Sequence, residues 1–269
     1  MEAASHTVAD DAPEEFQNML QKVERSSPRV AAALRRAQEN REGSLKRWQD
    51  DRRIQGLDHL LAYLEAASRF VATYPRLSKI AFLVQRALDD FEVALEATAS
   101  GTNSVVFDAM RDVLEIEYLL SDFAAKPENI ERWLAADDRL RSKEFTPASL
   151  RQRKAARLGV KSADLPTAKD YKGHSQLLHV SPHLHPFALN GIMSNRNGIQ
   201  LASCFWDMYL HGAHLAAGLL ELIAQVTGEE VTDDQLKVLN PNNSLQMFMS
   251  VRDQVKEEEG RFWDHVLAE

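Results

Sequence analysis

Residues 199–226 read IQLASCFWDMYLHGAHLAAGLLELIAQV and form the most apolar segment of a chain of 269 residues. The segment is long enough to cross a bilayer, but ionisable side chains interrupt it at helical spacing: Asp207, His211, His214 and Glu221. Transfer of several such groups into hydrocarbon is strongly unfavourable. The pattern therefore predicts a buried core helix and no membrane partner.

The rest of the chain is divided by proline, glycine and capping residues into further helical lengths, with hardly any alternating run rich in β-branched residues. Ser27-Pro28 and Thr146-Pro147 are both typical helix starts, because a hydroxyl can cap the helix and proline suits its first turn. The predicted class is an all-α multi-helix bundle without significant sheet. The predicted helices cover 14–25, 28–49, 57–73, 77–98, 104–125, a short helix after Pro127, 147–158, 167–180, 199–226, a short helix after Thr232 and a last helix from Ser244.

The domain organisation is predicted from the same sequence features. Residues 1–13 contain three acidic side chains and no Lys or Arg and lack the features of a signal peptide, which indicates a disordered tail. Residues 14–269 are predicted to form a single helical domain. One interpretation of the polar stretch 26–56 is an arm that projects from it.

Composition and charge narrow the function classes. Hydrophobic residues make up 44% and charged residues 27% of the chain, which is typical of a globular protein. The single cysteine, Cys204, cannot form an internal disulfide, and this favours a cytoplasmic location. The net charge of −8 argues against nucleic acid or an anionic membrane as the partner. Residues 139–172 nevertheless carry ten Lys or Arg and three acidic residues, so this stretch is either a solvated face or a site for phosphate.

The histidines are unevenly distributed, and neutral imidazole is a common metal ligand. Six of the nine fall in one part of the chain: His174, His179, His183, His185, His211 and His214. On the core helix, Asp207, His211 and His214 follow steps of four and three residues and share one face. Joined by His179, or by His183 or His185 of the preceding loop, they could hold zinc or iron. The alternative is a set of hydrogen-bonded histidines beside a solvent slot.

Polar residues also share a face on the helix predicted over 104–125. Arg111, Glu115, Tyr118 and Asp122 follow steps of four, three and four, whereas another face is apolar and comprises Val106, Met110, Val113 and Leu120. On the helix predicted over 167–180, Tyr171, Ser175 and His179 recur every four residues and project from one side.

These motifs together resemble an uncharacterised bacterial family of all-helical proteins. Members of that family show an Arg-x-x-x-Glu helix, then a Trp, then a Tyr-x-x-Leu-Ser-x-x-x-His-Pro segment; this chain matches over about 104–186, with Trp133 in the middle. It departs from the pattern at His174, where the family has Leu, and at Val180, which displaces the proline to position 182. The resemblance implies no particular activity. It implies that five residues converge as a polar cluster: Arg111, Glu115, Tyr171, Ser175 and His179.

The leading hypothesis is a polar pocket that binds or cleaves a small anionic or phosphate-ester ligand. In it, His179 carries a proton, Glu115 orients an imidazole or Arg111, and the basic segment receives the anion. Three alternatives stay open: a zinc or iron enzyme, an RNA-cleaving effector of defence or toxin type, and a noncatalytic protein that self-associates. Self-association would use the 26–56 arm and a small-residue face made of Gly212, Ala213, Ala216 and Ala217.

Overall fold

The computed structural model describes residues 12–165, 167–168, 171, 199–227 and 232–266. Within these ranges the regular structure is helical and no strand occurs, so the predicted all-α class is confirmed. The helices are α1 Ala12–Ser26, α2 Pro28–Trp48, α3 Arg52–Thr73, α4 Ala81–Ser100, α5 Asn103–Ala125, α6 Glu128–Ala135, α7 Asp138–Glu144, α8 Pro147–Leu158, α9 Ile199–Thr227, α10 Asp233–Leu239 and α11 Ser244–Val266.

Several helix boundaries follow directly from local chemistry. The Thr146 hydroxyl accepts a hydrogen bond from the Ser149 amide at 3.2 Å, and Pro147 opens α8 as predicted. Gly159 closes the same helix at φ 68°, a left-handed conformation that favours glycine. Asp51 caps α3 by accepting from the Arg53 amide at 2.9 Å, so this helix begins five residues before the predicted position.

Contacts between Cα atoms divide the chain into two compact units. Of the described residues, the first contains 12–49 together with 99–101. In it, α1 packs against α2, and the Ser44 hydroxyl donates to the Ala99 carbonyl at 3.0 Å. The second contains residues 50–98 and the described residues from 102 onward. The single domain over 14–269 and its arm stay predictions.

The core of the second unit is built around α5 and α9, which share its most extensive helix packing, while α3 packs against α11 and α9. Gly212 of α9 permits a close approach to α3, because a Cβ atom placed there would lie 2.5 Å from Leu60 Cδ2. Gly56 of α3 does the same for Tyr209, whose hydroxyl would lie 2.0 Å from such a Cβ. That hydroxyl donates to the Arg53 carbonyl at 2.7 Å. Glycines thus set how closely α3 and α9 approach each other.

Helix α9 matches the predicted core helix to within one residue, and Cys204, Phe205 and Leu219 are fully buried along it. Across the described ranges, none of the helices, α9 included, combines the length and apolarity that a bilayer crossing requires.

Candidate metal centre between helices α5 and α9

Helix α5 brings one carboxylate into the core of the second unit. Its apolar face runs through Val106, Met110, Val113 and Leu120, and Glu117 falls on the same face by continuing the steps of four and three. Only 7% of Glu117 is exposed. Because an ionised carboxylate in a core needs a partner, its surroundings on α9 decide what it can do.

Two histidines of α9 face this carboxylate. His211 Nδ1 lies 2.7 Å from Glu117 Oε1, and His214 Nδ1 lies 3.5 Å from Glu117 Oε2. The three potential ligand atoms all lie within 4.8 Å of one another. His211 is fully buried, whereas 44% of the His214 side chain is exposed. The cluster therefore has a closed end in the core and an open end toward solvent.

Asp207 occupies the opposite side of the His211 ring. It lies one helical turn before His211, and its Oδ1 is 3.6 Å from His211 Nε2. The imidazole therefore lies between two carboxylates, Glu117 at Nδ1 and Asp207 at Nε2. A carboxylate at the second ring nitrogen is the usual means of orienting a metal-binding histidine.

The charge state of Glu117 is set by opposing effects. Burial favours its neutral form, but the charge and hydrogen bond of His211 and the contact with His214 outweigh burial, so the pKa of Glu117 is lowered. The carboxylate is consequently ionised at neutral pH. It is a buried anion that requires a cation beside it, either a protonated imidazole or a metal ion.

The cluster of Glu117, His211 and His214 could hold a metal ion. It offers two imidazole nitrogens and a carboxylate oxygen, a donor set that both zinc and iron accept. Of the predicted metal ligands, the structure brings His211 and His214 together at Glu117 and places Asp207 outside this cluster, against the other nitrogen of the His211 ring. His183 and His185 lie outside the described residues.

Glu117 is the member of the cluster that the sequence analysis missed. The signal was available, because a lone acid at a core position of an amphipathic helix is unusual. The periodicity of α5 marks its polar face instead, and the partner of Glu117 lies 94 residues away on another helix.

The structure also brings together three of the five residues of the predicted polar cluster. Arg111 Nη2 donates to the Tyr171 hydroxyl at 3.3 Å, and Arg111 Nε lies 3.6 Å from Glu115 Oε1. The pKa of Glu115 is raised, chiefly by burial, although Arg111 acts in the opposite direction. Ser175 and His179 lie outside the described residues.

Asp122, on the predicted polar face of α5, has a structural role. Arg153 donates from Nε and Nη2 to the two oxygens of this buried carboxylate, each at 2.8 Å. Asn129 Nδ2 adds a third bond at 2.8 Å, and Arg157 Nη1 a fourth at 3.3 Å. Burial would raise the pKa of Asp122, but these partners lower it. Asp122 thereby links α8 and the start of α6 to α5 through hydrogen bonds.

Fold and site together define an all-helical protein with a candidate metal centre on a central helix pair. Comparison of the chain with family models, curated proteins and solved structures finds no match. The resemblance to the bacterial helical family over 104–186 therefore stays a prediction.

Proposed function

We propose that the protein binds a divalent transition metal ion, zinc or iron, through Glu117, His211 and His214, and that the centre is catalytic. The observation that carries the proposal is the pairing of two imidazole nitrogens on α9 with the two oxygens of one buried, ionised carboxylate on α5.

The openness of the cluster favours a catalytic over a structural centre. Structural zinc sites are closed by four protein ligands, whereas catalytic sites keep three ligands and leave a position for water or substrate. Among the described residues three potential ligands converge, and His214 lies at the solvent side. A metal ion held there would act as a Lewis acid and would lower the pKa of a bound water.

Each side chain of the centre would have a separate role in holding the metal ion. Glu117 supplies the negative charge and is already ionised at neutral pH. His211 is fixed in the core, and Asp207 faces the ring nitrogen that Glu117 does not contact. His214 can adjust its position because it is half exposed. The rival explanation is a buried His211–Glu117 ion pair that only stabilises the helix pair.

Metal analysis of matched variants tests the proposal. Protein purified without chelator is analysed for zinc and iron, and the metal-free protein is titrated with Zn²⁺, with Fe²⁺ under anaerobic conditions, and with Co²⁺ as a spectroscopic probe. The wild type is expected to bind one ion. His214→Ala should weaken binding by more than about 100-fold, since even loss of a group behind a ligand weakens it about 10- to 100-fold. The control is His59→Ala, a partly buried histidine on α3 outside the cluster.

Two outcomes would overturn the proposal. One is a metal-free wild type that takes up none of the three ions. The other is His214→Ala binding metal as tightly as His59→Ala. The folding of each variant is checked by circular dichroism, and Glu117→Gln provides a second variant that removes the charge without changing the shape.

The other sequence-based hypotheses stay predictions: a pocket for a small anionic or phosphate-ester ligand, RNA cleavage, self-association and a cytoplasmic location. The hypothesis of an anion pocket gains support from the polar cluster, in which Arg111 contacts both Tyr171 and Glu115.

A further inference from the structure

Arg151 of helix α8 is held against two tyrosine rings. Its guanidinium carbon lies 4.6 Å from the ring centroid of Tyr171 and 5.7 Å from that of Tyr118. Such contacts fix the orientation of the planar cation, because the ring faces carry partial negative charge. Arg151 is therefore a rigid group rather than a mobile surface side chain.

Two nitrogens of the Arg151 side chain are buried without a hydrogen-bond acceptor among the described residues. Nε and Nη1 of Arg151 are shielded from solvent and donate to no acceptor in the described part of the chain. The Thr167 hydroxyl is buried and equally lacks a hydrogen-bond partner there. Buried charged donors without an acceptor are rare in native proteins, and each such group calls for an explanation.

Neighbouring acids do not supply that acceptor. The other two arginines of α8, Arg153 and Arg157, are paired with Asp122 at 2.8 and 3.3 Å. Glu115 lies 3.6 Å from Arg111, and no carboxylate among the described residues forms an ion pair with Arg151. Positive charge is instead concentrated here, since the Arg111 guanidinium also lies over the Tyr171 ring, at 5.4 Å.

We propose that Arg151 binds an oxyanion, namely the phosphate group of a small ligand. The same cluster holds Arg111, which also lies over the Tyr171 ring, and Thr167, whose carbonyl accepts from the Tyr118 hydroxyl at 2.7 Å. A guanidinium fork matches the oxygens of phosphate and carboxylate, and a fork already locked by aromatic rings loses little conformational freedom on binding. The site goes beyond the metal centre and does not depend on it.

The test uses the full-length, metal-free chain and inorganic phosphate as the probe, at constant ionic strength. Phosphate affinity is measured by titration calorimetry for the wild type, Arg151→Gln and Arg151→Lys. The control is Arg139→Gln, which removes the same charge from an exposed position on α7. Arg151→Gln should weaken binding by about tenfold or more, because hydrogen bonds to charged groups are lost. Arg151→Lys should also weaken it, since an ammonium cannot present the fork.

Thr167→Val provides a second variant in case Arg151→Gln does not fold, and it should weaken phosphate binding several-fold. Acetate is titrated in parallel. If acetate binds more tightly than phosphate and its binding depends on Arg151 in the same way, the oxyanion site is supported and its ligand is a carboxylate. The proposal is overturned if the wild type binds neither anion. It is also overturned if Arg151→Gln, or Thr167→Val where the former is unfolded, binds as tightly as Arg139→Gln.

Discussion

Asp90 on α4 is a carboxyl group whose ionisation the fold opposes. Its Oδ2 atom is shielded from solvent and accepts no hydrogen bond among the described residues. Burial, followed by the charge of Asp112, raises the pKa of Asp90 to about 7, although Arg86 acts in the opposite direction. The nearby Asp89 and Asp108 contribute in the same direction as Asp112.

We expect Asp90→Asn to stabilise the protein increasingly between about pH 4 and pH 7. The folded pKa of about 7 lies above the ordinary value of 3.8, so the native state retains a proton that the unfolded chain has lost. Wild-type stability therefore falls as the pH rises through this range and then levels off, whereas the asparagine variant has no such proton to lose. Urea unfolding at several pH values measures the difference. Glu92→Gln, at an exposed position on the same helix, is the control, and a gain that is constant or shrinks with rising pH would contradict the assignment.

Only the part of the candidate metal centre that lies on α9 could be predicted from single residues and their spacing. Asp207, His211 and His214 could be grouped because their spacing alone puts them on one helix face. Glu117 could not be joined to them, since spacing within α5 says nothing about which helix covers it. Residue type and periodicity thus found the part of the site that lies on one element and missed the part that depends on packing.

Helices with strong local signals were predicted well, and those without them were not. The helix α8 has a threonine cap, a proline at its start and a glycine at its end, and its predicted bounds match the structure. The helix α7 was missed because it contains no buried residue and therefore shows no apolar periodicity, even though Asp137 caps it. The predicted start of α3 was too late because it followed the apolar periodicity, which begins at Leu57, whereas Asp51 caps the helix and Gly56 lies inside it in contact with Tyr209.

Two glycines of α9 should respond oppositely to substitution by alanine. At Gly212 a new Cβ would lie 2.5 Å from Leu60 Cδ2 and 3.0 Å from Phe248 Cζ, so overpacking should destabilise the protein by about 1–3 kcal/mol. At Gly218 the nearest atom, Leu120 Cβ, would be 3.7 Å away, which is ordinary contact. Gly218→Ala should therefore stabilise the helix by about 0.5–1 kcal/mol. Urea unfolding compares the two variants, and equal effects would show that α9 and α3 are not tightly packed at Gly212.

For the whole molecule, the proposed metal would link folding of the second unit to ion concentration. The ligands come from α5 and α9, which form the central helix pair of that unit. An ion that binds the native state alone stabilises it by about 2.7 kcal/mol when its free concentration is 100 times Kd.

Zinc should accordingly raise the unfolding temperature of the wild type, and a chelator should reverse the increase. His59→Ala should show the same increase, and His214→Ala should show little or none. Differential scanning calorimetry at several zinc concentrations measures this dependence. An unfolding temperature that stays constant while the wild type binds zinc would mean that the ion also binds the unfolded chain.

The sequence separation of 94 between Glu117 and His211 also imposes an order of events during synthesis. A ribosome that adds about 5–20 residues per second completes α5 about 5–20 s before α9 emerges. Throughout that interval the nascent α5 displays an apolar stripe with a carboxylate in it, and the helix that covers both does not yet exist. The central pair can therefore assemble only after α9 has been synthesised, which makes this stripe the surface that a nascent-chain chaperone would have to shield.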